Sequence, residues 1–526
     1  MRIIEILSHI MYSFTRSVAD HYSPEDSEFT AESSDYVPLQ STGLEWNHQP
    51  VDELIYQEYS HSDNGFTIRV LDACSPEKNE EIPEDQQDED RAMAWKRLRP
   101  SSLRTVRKSM YFGALISILT AMVIGSLYCL ISYVSFQTMF NCQFHQKKSI
   151  PVKIQWMRTL SDAASCGFIY MWFLVNIFFL FLPHQLQGLR RKLIFGTFML
   201  YCLDALYRVI LQSSGISHSR LTKIQMIPLI VLFLVSLCWQ GYQLWNRFQV
   251  LSRGRIFFFV QIAAPGFFTF LIGIVTVYFT YPMYNEENEN RKLLIAIFAP
   301  LSGLLLKVIV RICIQSSWNI THPGYTYILF VPLYFGSAIL FRVMQAELEN
   351  ISAITILGII HGAAEVLERS TMVVIDHICH VVLKRRAVSW GSFRTPRRER
   401  LMADIAIISM LYESTAIVSV NGVLYLHKFI YLKENSLSTL FQRFLVASSV
   451  QLVIEWFFNS ISLAIETYHQ NIAVMAVWQR KWKRHVLVAV INVIPLALCS
   501  TLPIIQFMHG QLAKSRTDQP CKMPFS

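Results

Sequence analysis

Eleven long apolar runs lie between Tyr111 and Met508, each near the roughly 20 residues that an α-helix needs to cross a bilayer. The chain is therefore expected to be an all-α, polytopic integral membrane bundle of about 11 transmembrane helices. The expected spans are 109–136, 165–184, 192–212, 225–246, 256–281, 292–315, 325–345, 353–383, 401–427, 440–467 and 485–508. Only 16% of residues are charged, against about a quarter in a soluble domain.

Charge is divided unevenly along the chain. Residues 1–90 hold 21 acidic and 4 basic side chains, so the positive balance belongs entirely to the remainder. The overall basicity thus describes two opposite regions and does not indicate a nucleic-acid partner. Rich in Glu, Asp, Ser and Gln without a periodic apolar face, 1–90 reads as a disordered acidic tail on the cytoplasmic side. A basic juxtamembrane segment, 91–108, follows it. The multi-pass domain occupies 109–508, and 509–526 form a short C-terminal tail. The first stretch, Ile3 to Phe14, is too short to span, and no small-residue cleavage site follows it.

Orientation follows from basic flanks, because cytoplasmic loops retain Lys and Arg. Arg91, Lys96, Arg97, Arg99, Arg104, Arg107 and Lys108 place the N-terminus in the cytoplasm, with the plasma membrane and an endomembrane both open as locations. Alternation puts the basic loops at Lys384–Arg400 and Arg480–Arg484 inside too, and an odd number of spans leaves the C-terminus outside. The outer side then holds Asn350, an acceptor for glycosylation in Asn350-Ile351-Ser352, whereas Asn319 falls inside. Cys142 and Cys521 also share the outer side, where a bridge between them is possible; the remaining cysteines occur singly, most of them in apolar runs. Span 353–383 carries more charge than any other, and if it lay along the interface everything after it would invert.

Ionisable side chains inside hydrocarbon cost several kcal/mol unless they face protein or water, so their placement is the main functional clue. In 440–467, Gln451, Glu455, Asn459, Ser462 and Glu466 fall within an arc of about 80°, and Ser448 extends the line. In 401–427, Ser409, Glu413 and Asn421 share a wider arc. In 353–383, His361, Glu365, Glu368, Arg369, Asp376 and His380 occupy about 120° of the helix. His361 with Glu365 and Asp376 with His380 are spaced i, i+4, as are residues that ligate Zn²⁺ or relay protons. The same residues could instead form salt bridges with Arg369. Asp204 and Arg208 are spaced to neutralise one another. Lys307 lies deep in its span and needs a partner, for which Glu413, Glu455 and Glu466 are available.

Two short motifs point elsewhere. Tyr36-Val37-Pro38-Leu39 resembles the tyrosine-based sorting motif, in which a Tyr and a bulky apolar residue dock on trafficking adaptors; the resemblance makes Tyr36 and Leu39 the contact residues. Trp318-Asn319-Ile320-Thr321-His322-Pro323-Gly324-Tyr325 resembles the His-and-PGY region of membrane-bound O-acyltransferases, although it lacks the Trp-His-Gly order and His322 abuts Pro323. That resemblance implies an embedded acyltransferase, a reading that needs His322 or His361 to face a cavity. Nucleotide-loop, zinc-protease and nucleophile-elbow patterns are absent, and no cofactor signature is present, so any cofactor is unknown.

The leading expectation is a transporter or channel for a small solute or ion. Glu413, Glu455, Glu466, Asn459, Lys307, His361, Glu365 and Glu368 would form its binding core. The alternative is a receptor or lipid-handling protein whose charges only hold helices together, and a membrane acyltransferase is third. The expected partners are the lipid bilayer and trafficking adaptors.

Overall fold

The computed structural model describes residues 102–142, 150–181, 185–215, 222–247, 255–286, 289–315, 324–346, 348, 351–384, 396–432, 436–468, 470, 472, 474–507, 521 and 523. Tyr36, Leu39, Asn350 and His322 lie outside them, as do the acidic tail and most of the juxtamembrane segment. No strand occurs among the described residues, and the helices form eleven rods. α1 runs Ser102–Thr120, passes through a π-helical turn at Ala121–Gly125 and continues as Ser126–Thr138. α2 is Val152–Leu180, α3 Arg190–Ser213 and α4 Thr222–Arg247. α5 comprises Arg255–Val275, a second π-turn at Thr276–Thr280, and Tyr281–Glu286. α6 is Glu289–Gln315; α7 begins with a 3₁₀ turn, Thr326–Phe330, and continues as Val331–Ala346. α8 is Ile351–Lys384, α9 Pro396–Leu432, α10 Leu437–Tyr468 and α11 Val474–Phe507.

Nine of these helices, among the described residues, are long and apolar enough to cross a membrane, which makes this a multi-pass membrane protein in architecture. The apolar stretch described in α5, Ile262–Val275, is shorter. The segment expected to be interfacial if any was, 353–383, contains such a stretch at Ile351–Met372. Two helices begin well before their expected spans. α2 starts at Val152, because Pro151 has a fixed φ of −54° and opens the helix. α11 starts at Val474 and bends at Lys481, whose φ of −121° breaks the helical run.

The bundle is built around α9. In its apolar stretch 94% of residues are buried, against 22–39% in α1 through α4. Its sequence explains this position: apolar and small residues go all the way round (Ala403, Ala406, Ser409, Ser414, Thr415, Ala416, Ser419), so no face is suited to water or needed for lipid. Small residues also let neighbouring backbones approach closely, which is how helices associate where lipid removes the hydrophobic drive. At Gly422, a Cβ would come within 2.5 Å of Cys129 Sγ on α1. α1, α7, α10 and α11 pack directly on α9; α8 packs on α10, α6 and α7, and α2, α3 and α4 form a peripheral arm. Large apolar side chains cover the outside, including Phe168, Phe195, Ile230, Phe270, Phe298, Leu367 and Phe457, as a lipid-facing surface requires.

Cys142 and Cys521 form a disulfide with their Cα atoms 5.8 Å apart, packed against Ile150 and Ile154. It ties the end of α1 to the C-terminal tail, so the two lie at one end of the bundle.

Candidate functional site

Charged side chains from five helices meet around Glu413 at the middle of α9. Glu413, Glu455, Glu466, Glu365, Glu368, Lys307, Arg311, Arg342 and Arg369 are all buried. Burying so many charges is tolerable only if they satisfy one another, and the geometry shows how most of them do.

Arg369 of α8 reaches across to α10. Its Nε and Nη2 donate to the two oxygens of Glu466 at 2.7 and 2.6 Å, and Nη1 donates to Asn459 Oδ1 at 3.0 Å. This two-pronged fit of guanidinium on carboxylate is the strongest form of side-chain ion pair. Asn459 in turn donates to Glu455 Oε1 at 2.9 Å. Glu455 also receives Arg342 Nη2 of α7 at 2.6 Å, while Arg342 Nη1 donates to Gln345 Oε1 at 2.7 Å. Gln345 Nε2 donates to the Ile354 carbonyl near the start of α8 at 2.9 Å. Of the five carboxylates, Glu466 thus has a guanidinium to itself, and Glu455 has the nearer share of Arg342. Further along the same stripe of α10, Asn421 of α9 donates to Ser448 Oγ at 3.3 Å and Gln451 Oε1 at 3.4 Å.

The remaining carboxylates are held more loosely. Glu413 lies 3.4 Å from Arg342 Nη2 and 4.0 Å from Lys307 Nζ, the partner that the depth of Lys307 in its span demanded. Lys307 also sits 4.6 Å above the Tyr334 ring and in the field of Glu368 and Glu365. Arg311 donates to the Met372 carbonyl at 3.3 Å. Glu365 accepts a short hydrogen bond from Ser409 of α9. His361 stacks on Phe341 at 4.0 Å, and its Nε2 lies 3.5 Å from Glu413 Oε2 without the alignment of a hydrogen bond. One potential ligand atom from each of His361, Glu365 and Glu413 lies within 4.8 Å of the others. Asp376 and His380 follow on α8, with side chains outside the described residues.

The chain matches no family model, no curated protein and no solved structure. The function must therefore be argued from these side chains alone.

Sequence reasoning passed over Arg342 and Gln345. Arg342 stands near the end of its expected span, where an arginine reads as one that reaches out to headgroups; the structure leaves it 2% exposed. A second buried cluster was also missed. On the opposite face of α9, nine residues before Glu413, Asp404 receives His485 Nε2 at 2.8 Å and Arg400 Nε at 3.2 Å, with Arg484 Nη2 3.9 Å away. Tyr327 stacks on His485 at 5.0 Å. Arg400 and Arg484 read in the sequence only as orienting charges; in the structure Arg400 pairs with Asp404 within α9, and Arg484 with His485 ties α11 to it. A third group joins α2 to α3: Arg208 pairs with Asp204 at 2.6 Å, as its spacing indicated, and also with Asp162, which lies before the expected span because α2 begins earlier.

Proposed function

We propose that this multi-pass membrane protein binds a small cation in the polar core between α6, α7, α8, α9 and α10 and moves it across the bilayer. The observation that carries this reading is a charge deficit. Among the described side chains, five carboxylates (Glu365, Glu368, Glu413, Glu455 and Glu466) meet four fixed cations (Lys307, Arg311, Arg342 and Arg369). A buried core left with one uncompensated negative charge is strongly unfavourable in a low-dielectric medium, and an added proton or metal ion restores balance. Glu413 is the natural exchange group. It sits mid-helix, has no dedicated guanidinium and faces His361, whose imidazole is suited to ion and proton traffic.

A structural role accounts for the other part of the core. The pairs Arg369–Glu466 and Arg342–Glu455 join α8 to α10 and α7 to α10 in the manner of interhelical glue. Reconstitution tests the division. Gradient-driven cation uptake into proteoliposomes should fall at least tenfold in Glu413→Gln with thermal stability retained, and uptake equal to wild type would refute the proposal.

A further inference from the structure

The proposed function leaves open which cation the core takes, and we infer that His361, Glu365 and Glu413 form a site for a divalent transition metal; the inference rests on the cation-binding reading. His361 and Glu365 are one turn apart on α8 and project on the same side, and Glu413 approaches them from α9. In a tetrahedral site with bonds of about 2.0–2.2 Å, neighbouring ligand atoms stand about 3.4 Å apart. The 3.5 Å between His361 Nε2 and Glu413 Oε2 is such an edge. The widest separation in the trio, up to 4.8 Å, closes by small side-chain rotations. Phe341 holds the His361 ring at 4.0 Å, and its Nε2 faces Glu413 without an aligned hydrogen-bond partner.

The surroundings fit as well. One imidazole nitrogen and two carboxylate oxygens suit Zn²⁺, Mn²⁺ or Fe²⁺ and are too few in oxygen for Ca²⁺. Ser409 donates to Glu365 and Arg342 approaches Glu413, the kind of outer hydrogen bonding that orients ligating carboxylates. Charge fits too: the core carries one excess negative charge, which a bound divalent cation would answer. Three protein ligands would leave a fourth position for water, and with Zn²⁺ that water would ionise more readily than free water, its proton leaving to the aqueous phase so that metal and hydroxide together add a single positive charge.

The test uses the full-length, tag-cleaved protein in detergent, stripped with chelator and dialysed against Zn²⁺, Mn²⁺ or Co²⁺. The inference predicts one metal equivalent per chain, and with Co²⁺ a visible absorption band of tetrahedral intensity. His361→Ala and Glu365→Gln should each weaken binding at least tenfold, and Ser409→Ala roughly tenfold through Glu365. Gly241→Val, on the peripheral arm where a side chain has open space, should bind as wild type does. Size-exclusion profiles identify any variant that fails to fold, and Ser409→Ala, the mildest change, still reports on the site in that event. Absence of bound metal in monodisperse wild-type protein, or retention of full affinity in His361→Ala and Glu365→Gln, would overturn the inference. If chelator-insensitive proton uptake persists without bound metal, the metal site is wrong and the cation-binding core stands. If neither metal nor uptake is found, both fail.

Discussion

Glu466 and Glu413 are both buried glutamates on the inner face of neighbouring helices, yet their partners set them apart. Glu466 is gripped on both oxygens by Arg369, whereas Glu413 shares Arg342 with Glu455 and has Lys307 only at 4.0 Å. Removing one member of a buried pair leaves the other charge uncompensated and costs about 3–5 kcal/mol. Arg369→Met should therefore lower the midpoint of thermal unfolding in detergent sharply, and the double change Arg369→Met with Glu466→Met should recover most of that loss. A double variant no more stable than Arg369→Met would show that the pair is not a self-contained clamp.

Residue type and spacing were legible in the sequence where the physical constraint is local. The α10 stripe, the His361–Glu365 turn and the Asp204–Arg208 pair all follow from 100° per residue and appear in the structure as neighbours. Partners contributed by another helix were not legible, because no local period encodes them. Arg342 completes the core from α7, and Asp404 meets His485 of α11, at sequence separations of 71 residues or more. An arginine close to a span end gives the same signal whether it reaches headgroups or turns inward.

Among helices, the contact between α8 and α10 is the one on which the core most depends, since both Arg369 clamps cross it. At Gly362 of α8 there is no room for a side chain, because a Cβ would run into the Phe458 ring. Gly241 of α4 has open space in the same position. Gly362→Val should reduce the yield of monodisperse protein and lower its thermal midpoint, while Gly241→Val should leave both near wild type. Equal behaviour of the two variants would contradict the close approach of α8 to α10. Element type was the most readable feature at this scale, because a run of twenty apolar residues has few ways to satisfy its backbone in lipid. Element ends were read less well: α2 and α11 extend through polar turns that hydropathy does not count.

For the whole molecule, the disulfide and the basic loops bear on one question. A Cys142–Cys521 bridge persists best in an oxidising compartment, and the loop carrying Lys384 to Arg400 is expected on the opposite, cytoplasmic side. An epitope after Ser526 should accordingly be reachable from outside intact cells or from the organelle lumen, and Cys142→Ser should free one thiol at Cys521 for an impermeant maleimide. Cytosolic exposure of the epitope would contradict this arrangement. Apolar side chains lie outside and charge inside around a buried α9, and on the proposed reading this polar layer takes the cation, with Glu413 as its key group. The most direct test is initial cation uptake into proteoliposomes across an imposed proton or divalent-metal gradient, wild type against Glu413→Gln at matched protein density and thermal stability. The account predicts robust uptake by wild type and a loss of at least tenfold in the variant; equal uptake by both would contradict it.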